Sequence, residues 1–207
     1  MPAAVGSRSV GGLDVRLYRD VNRWALQTSF LHGLGRASAG WLAFALLAAC
    51  LALAWYRARR RPDAPVAVAS ALWGLAAAAV ATAVARAVAA AVGRALPYQV
   101  VAHAELLVSR SHGPGFPAAA AAGAGAVAAA LWFSSAVMGG TASLAAVLLA
   151  AAGVYVGAFF PGDVASGLIL GVTVAVALRP LGLRVLSWLT VKVERSPLHL
   201  VVAAHRV

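Results

Sequence analysis

Long runs of apolar residues restrict how this sequence can fold. A helix needs about 20 apolar residues to cross the hydrocarbon core of a bilayer, and several runs approach that length. They are residues 39–56, 65–92, 118–137, 142–160 and 164–178. A further stretch, 181–193, is amphipathic because Arg184 and Lys192 interrupt it, and it is either a sixth span or a partly inserted segment. The sequence therefore predicts an all-α, polytopic membrane helix bundle of about five to six transmembrane helices.

Composition excludes a soluble domain. Of the 207 residues, 62% are hydrophobic and 11% are charged, whereas soluble domains have about 45–50% and about 25%. The net charge of +11 does not indicate nucleic acid, because the basic residues lie mainly at the ends of apolar runs, where they meet lipid phosphates. The single cysteine, Cys50, allows neither a disulfide framework nor a cysteine metal site. We predict no metal, no cofactor and no nucleic-acid partner.

The segment before the first apolar run has a different pattern. Residues 1–12 are small and polar, which predicts a disordered N-terminus. Over residues 13–34 apolar residues alternate with arginines at roughly helical spacing, which predicts an N-terminal amphipathic helix lying along the membrane interface. We therefore divide the chain into a disordered N-terminal segment, 1–12, one membrane domain, 13–193, and a C-terminal tail, 194–207.

Arginine clusters predict the orientation. Residues 57–61 carry one cluster and residues 179–206 carry another. With five spans both clusters lie on the same side, the cytoplasmic side by the positive-inside rule, and loop 93–117 then lies on the outer face. The arginines of residues 8–36 oppose this orientation, because they would also lie outside. The expected location is a bacterial plasma membrane, with several crossings.

Three short segments resemble, in order, the motifs of one family. Residues 92–98 read VGRALPY, residues 111–122 read SHGPGFPAAAAA and residues 153–163 read GVYVGAFFPGD. They resemble the three motifs of the type 2 phosphatidic acid phosphatase (PAP2) superfamily, and within it the small bacterial undecaprenyl-diphosphate phosphatases. The resemblance covers nearly the whole chain and implies a PAP2-like membrane domain over 13–193.

The resemblance also implies a chemistry, which is metal-independent phosphoryl transfer on a lipid. In that family a histidine of the third motif attacks phosphorus, and an aspartate four residues later holds its imidazole. A histidine of the second motif protonates the leaving oxygen. Lysine and arginine side chains of the first and third motifs neutralise the phosphoryl oxygens.

Matched position by position, the motifs of this chain lack almost all of these groups. Ala89 stands at the lysine position, Ala120 at the proton-donating histidine and Phe159 at the nucleophile. The other replaced positions are Leu96 for an arginine, Ala118 and Ala119 for serine and glycine, and Gly153 for an arginine. Phenylalanine cannot attack phosphorus and alanine cannot donate a proton, and groups that act as one unit leave little activity once the unit is gone. The prediction is a pseudo-phosphatase without catalytic residues.

Several polar residues near the motifs are candidates for binding an anion or a lipid headgroup. Asp163, the surviving motif residue, either keeps a binding role or serves as the N-cap of the last span. Arg94 either holds a phosphate or extends to interfacial headgroups. Arg86 lies within an apolar helix, where a charge needs a partner, and Asp163 is the candidate. Arg110 and His112 lie in the 93–117 loop and would supply a relocated phosphate site.

Three functions from different classes remain open at this stage. The first is a PAP2-fold pseudo-phosphatase that binds a lipid phosphate, such as a polyprenyl phosphate, or assembles with another membrane protein. The second is an active lipid phosphatase or undecaprenyl-diphosphate phosphatase with relocated catalytic groups, hydrolysing a phosphoric monoester or a diphosphate. The third is a small transporter or channel subunit, which the apolar middles of the spans disfavour.

Overall fold

The computed structural model of the chain describes residues 11–101, 106–108 and 115–194. Regular structure within these ranges is entirely helical, which confirms the all-α prediction. The α-helices are α1 (Gly12–Gln27), α2 (His32–Ala37), α3 (Ala43–Ala58), α4 (Ala64–Val92), α5 (Pro97–Val100), α6 (Ala119–Trp132), α7 (Ala136–Tyr155), α8 (Pro161–Ala177) and α9 (Arg179–Glu194). A 3₁₀ turn at Ser29–Leu31 precedes α2, and a π turn at Ser38–Leu42 joins α2 to α3. Most of the predicted disordered segment and most of the predicted tail lie outside the described residues, but Gly12, predicted as disordered, begins α1.

The membrane-length helices match the predicted apolar runs only in part. Ser29–Ala58, Ala64–Val100 and Ala136–Tyr155 are each long and apolar enough to cross a bilayer. A fourth span results if α8 and α9, which meet at 59°, are one broken span. The 14 residues of α6 rise only about 21 Å, less than the roughly 30 Å of the hydrocarbon core. Within the described ranges, three or four spans therefore meet the length requirement where five to six were predicted.

The amphipathic helix α1 is shorter than predicted. Its inward residues Tyr18, Asn22 and Ala25 are buried, while Leu13 and Trp24 are exposed at 75% and 51%. The helix ends because Thr28 leaves the helical conformation (φ −117°, ψ 51°) and its hydroxyl donates to the Trp24 carbonyl at 2.9 Å. The residues that follow, predicted to continue the interfacial helix, belong instead to the first long helical stretch.

Helix α6 lies at the centre of the bundle and packs against α4, α7 and α8. Ten of its 14 residues are buried, and nearly all of them are alanine or glycine. Small side chains let helix backbones approach closely, which stabilises helix contacts in lipid. At the crossing with α8 a β-carbon on Gly125 would lie 2.6 Å from the Leu168 carbonyl oxygen, and one on Gly171 would overlap the Ala122 carbonyl oxygen. The alanine and glycine content of the spans is therefore a packing requirement at this crossing.

A serine turn separates α6 from α7 and corrects two predicted boundaries. The backbone N–H groups of Ser134 and Ser135 both donate to the Leu131 carbonyl at 3.0 Å. The sequence prediction extended the third span to residue 137 and began the fourth at residue 142. Neither glycine nor proline marks the turn, and the glycine pair at 139–140 lies inside α7, so the pattern predicted the break in the wrong place.

Helix α9, which contains the predicted amphipathic stretch, packs along the N-terminal half of α4. The Thr190 hydroxyl donates to the Pro65 carbonyl at 2.8 Å, and the Trp73 indole donates to the Ala175 carbonyl at 3.1 Å. These bonds link α9 and the end of α8 to the end of the bundle opposite Gly93.

We predict that Gly171→Ala lowers the thermal stability of the purified protein in detergent, because the added methyl group must displace the backbone of α6, a kind of overpacking that costs about 1–3 kcal/mol. Gly140→Ala is the matched control, since a β-carbon at Gly140 meets nothing within 4 Å and alanine is the better helix former. The measurement is the midpoint of thermal unfolding. Equal midpoints for the two variants would contradict the close α6–α8 contact.

Candidate functional site

One arginine, Arg94, joins three separate parts of the chain at one end of the bundle. Gly93 ends α4 in the left-handed conformation (φ 63°, ψ 30°) that favours glycine, so that the chain turns and Arg94 leaves the helix. Its Nη1 donates to Asp163 Oδ1 at 2.7 Å, and its Nη2 donates to Asp14 Oδ2 at 2.5 Å. The side chains of Arg94 and Asp14 are 13% and 14% exposed, and that of Asp163 is 0% exposed. We call these three residues the Arg94 network.

Both carboxylates of the Arg94 network also bind the start of α8. Asp14 Oδ1 accepts a hydrogen bond from the Gly162 N–H at 2.8 Å, and Asp163 Oδ2 accepts one from the Phe160 N–H at 3.2 Å. The first N–H groups of a helix lack partners within the helix, and negative charge is favourable there. Asp163 was predicted as a possible N-cap. The N-cap residue is Phe160, and Asp163 is the third helical residue, from which its side chain reaches back to the cap.

Aromatic rings cover the Arg94 network. The Arg94 guanidinium lies 5.2 Å from the ring centre of Phe160 and 5.5 Å from that of Phe116, within the range of cation–π attraction. Tyr18 packs edge-on against Phe160 at 5.4 Å and donates its hydroxyl to the Gly157 carbonyl at 3.3 Å. Burial raises the pKa of Tyr18 to about 12, so the phenol is a neutral donor at physiological pH. The network is thus held in apolar surroundings.

A cavity of about 340 Å³ lies beside the Arg94 network and collects four of the replaced motif positions. Ala118, Ala120, Gly153 and Phe159 all line it. The cavity and the network are adjacent, because the Ala118 N–H donates to the Asp163 carbonyl at 2.9 Å. The remaining lining is mainly hydrocarbon and includes Tyr98, Leu106, Val108, Leu149, Val156 and Val164. Residues that are far apart in sequence therefore enclose one hollow where the resemblance expects a phosphoryl group.

The other three replaced positions do not line this hollow. Leu96 is buried next to Asp163, since a β-carbon on Gly115 would meet Leu96 Cδ2 at 2.9 Å and Asp163 Oδ2 at 3.1 Å. Ala89 is 4% exposed on α4. Ala119 borders a separate groove between α3, α4 and α6, which Ala120 also borders.

Few side chains that could take part in a reaction line the cavity. Alanine, glycine and phenylalanine carry no lone pair and no transferable proton, so none of the four motif positions in it can attack phosphorus or protonate a leaving group. Within the described ranges no three histidine, cysteine, aspartate or glutamate side chains come together as a metal site would require. Arg94, which lies beside the cavity, is already bound by two carboxylates.

The predicted partner of Asp163 was wrong. We expected an ion pair with Arg86, but Asp163 binds Arg94. Arg86 lies on an exposed part of α4 and borders the groove between α3, α4 and α6. The turn at Gly93 brings Arg94 to Asp163, and a helical reading of the sequence does not foresee that turn. Arg110 and His112 lie outside the described residues, so their predicted role in an anion site stays a prediction.

Asp14 is the site residue that sequence reasoning missed. It was not among the predicted site residues. Its position relative to Tyr18, Asn22 and Ala25 is the available signal, because Asp14 lies four residues before Tyr18 and helical neighbours at that spacing share a face. That face is the buried one.

Comparison with solved structures identifies the fold. The structure is similar to the crystal structure of LpxE from Aquifex aeolicus, with a TM-score of 0.52 and 20% sequence identity over 84% of this chain and 99% of LpxE. This chain is therefore a helical membrane protein with the fold of LpxE. At this level of identity the similarity establishes the fold alone. No protein-family model and no curated protein matches the sequence.

We predict that Arg94→Ala destabilises the protein strongly, because it leaves the fully buried Asp163 without its counter-ion. Removing one partner of a buried ion pair costs about 3–5 kcal/mol. Arg23→Ala is the matched control. Its ion pair with Asp20 is 72% and 64% exposed, and exposed pairs contribute about 0–1 kcal/mol. Thermal unfolding in detergent is the measurement, and similar midpoints for the two variants would refute the structural role of the Arg94 network.

Proposed function

We propose that this PAP2-fold membrane protein is a pseudo-phosphatase of the bacterial plasma membrane, which binds a lipid and does not hydrolyse it. The observation that carries the proposal is the cavity in which Ala118, Ala120, Gly153 and Phe159 come together. In an active relative those positions supply the nucleophile, the proton donor and phosphate ligands. Here they supply hydrocarbon.

The Arg94 network supports the loss of phosphate binding as well as the loss of catalysis. A phosphate site needs excess positive charge and free N–H donors. Arg94 brings one positive charge against the two carboxyl groups of Asp14 and Asp163, which lie 2.5 and 2.7 Å from its nitrogens. An added phosphate would compete with both carboxylates and would be repelled by them. The Arg94 cation beside the cavity is therefore used for folding.

The cavity fits the apolar part of a lipid better than a phosphate. Its lining is mostly aliphatic and aromatic, and apolar walls favour hydrocarbon over a charged group, which loses its hydration on burial. Binding sites for small molecules are commonly apolar hollows of this kind with few polar groups. We propose a lipid with a long hydrocarbon chain, such as a polyprenyl phosphate, as the natural ligand, with the cavity on the outer side of a protein that crosses the membrane several times.

We expect no phosphate release from phosphatidic acid or undecaprenyl diphosphate when the purified, folded protein is assayed in detergent beside an active PAP2 phosphatase. The physical reason is that the four replaced motif positions in the cavity lining, Ala118, Ala120, Gly153 and Phe159, carry no side-chain group that can attack phosphorus. Phosphate release is followed over several concentrations of protein beside a mock purification from cells that lack the protein, which reports the rate of any contaminating hydrolase.

Two variants make the assay decisive. His112→Ala and Phe159→Ala should leave the background rate unchanged. Robust turnover that His112→Ala abolishes and Phe159→Ala retains would overturn the proposal and establish the alternative, an active lipid phosphatase with relocated catalytic groups.

A further inference from the structure

We propose that the groove between α3, α4 and α6 is a binding site for an anionic phospholipid, whose acyl chain lies in the groove and whose phosphate contacts Arg86. The groove adjoins the cavity of the replaced motif positions, since Ala120 borders both, but Arg86 borders only the groove. This site rests on the proposed function in one point, that the protein binds lipid. It does not depend on whether the protein is catalytically inactive.

The groove has the length and lining that an acyl chain requires. Its volume is about 560 Å³, and its α4 wall extends from Leu75 to Arg86, which is about 16 Å along the helix. The lining is almost entirely apolar, with Phe44 and Leu51 on the α3 side. A hydrocarbon chain placed there replaces contacts with bulk lipid by contacts with fixed side chains, so the gain comes from packing and not from hydrophobic transfer.

Small residues make the groove deep. Its wall on α6 consists mainly of alanine and glycine. A β-carbon on Gly123 would lie 2.8 Å from Thr82 Oγ1. Glycine at this position therefore leaves space beside the Thr82 hydroxyl. Thr82 and Arg86 are one helical turn apart on the same face of α4. They place a hydroxyl and a guanidinium at the same end of the groove.

Arg86 supplies the charge complementarity that identifies the occupant. It is exposed, and within residues 11–101, 106–108 and 115–194 it forms no ion pair. The 29 residues of α4 span about 43 Å against a hydrocarbon core of about 30 Å. Arg86 lies six residues before the end of α4, about 9 Å along the axis, so it lies close to the level at which lipid phosphates begin. An arginine at that depth is stabilised by an anionic headgroup.

The contrast with Arg94 shows why the two arginines differ in function. Arg94 has both terminal nitrogens bound to carboxylates of this chain. Arg86 borders an apolar groove that faces the lipid and has donors to offer. The first is a structural cation, and the second completes a site only when a phosphate arrives.

The test measures lipid retention by native mass spectrometry of the delipidated, detergent-purified protein titrated with phosphatidylglycerol or phosphatidylcholine. The wild-type protein should retain one phosphatidylglycerol in preference to phosphatidylcholine. Arg86→Gln should weaken phosphatidylglycerol retention about tenfold, the effect of losing one charge-assisted hydrogen bond, and Arg86→Lys should restore part of it. Arg36→Gln, which removes an exposed arginine from α2 at the same end of the bundle, is the charge control and should behave as wild type.

A second pair of variants tests the groove itself. Ala83→Leu fills it from an exposed position on α4 and should reduce retention of both lipids, whereas Ala87→Leu, exposed on the same helix but outside the groove, should not. The proposal is overturned if Arg86→Gln retains phosphatidylglycerol as the wild type does, or if Arg36→Gln weakens it equally. Phosphate release measured on the same samples separates the two proposals. Turnover with Arg86-dependent retention refutes only the pseudo-phosphatase, and inactivity without lipid preference refutes only this site.

Discussion

The ion pairing of Arg94 with two carboxylates is the interaction on which the arrangement of this end of the molecule depends. Asp163 is completely buried, and its charge is tolerable only with a counter-ion and hydrogen bonds at the start of α8. Asp14 brings α1 to the same cation and also binds the α8 backbone. The amphipathic helix, the turn after α4 and the start of α8 are therefore fixed together, and the cavity beside them takes its shape from that contact.

The charged groups of the Arg94 network satisfy one another among the residues that the structure describes. The replaced motif positions are small or apolar, and Arg94 is paired with Asp14 and Asp163. The described lining of the cavity contains no charged side chain, and alanine and glycine pack closely around α6 at the centre of the bundle.

The sequence predicted the helical class and the apolar runs, because hydrophobic periodicity is a local property. The family resemblance, and not periodicity, implied that motif positions distant in sequence meet, as four of them do at the cavity. It misplaced the boundary between α6 and α7, where Ser134 and Ser135 form a turn without glycine or proline. It also paired Asp163 with Arg86. The true pairing depends on the left-handed conformation of Gly93 and on the docking of α1 through Asp14, and both are tertiary features that spacing along one helix does not encode.

The central claim is that the former catalytic hollow no longer binds a phosphoryl group. Titration of the purified protein with orthovanadate, a mimic of the phosphoryl-transfer transition state, tests it most directly, because transition-state mimics bind active sites far more tightly than substrates do. Isothermal titration calorimetry should show no saturable binding of vanadate. Saturable binding that is lost on substitution of Ala120 by leucine, which would fill the cavity, would contradict the account.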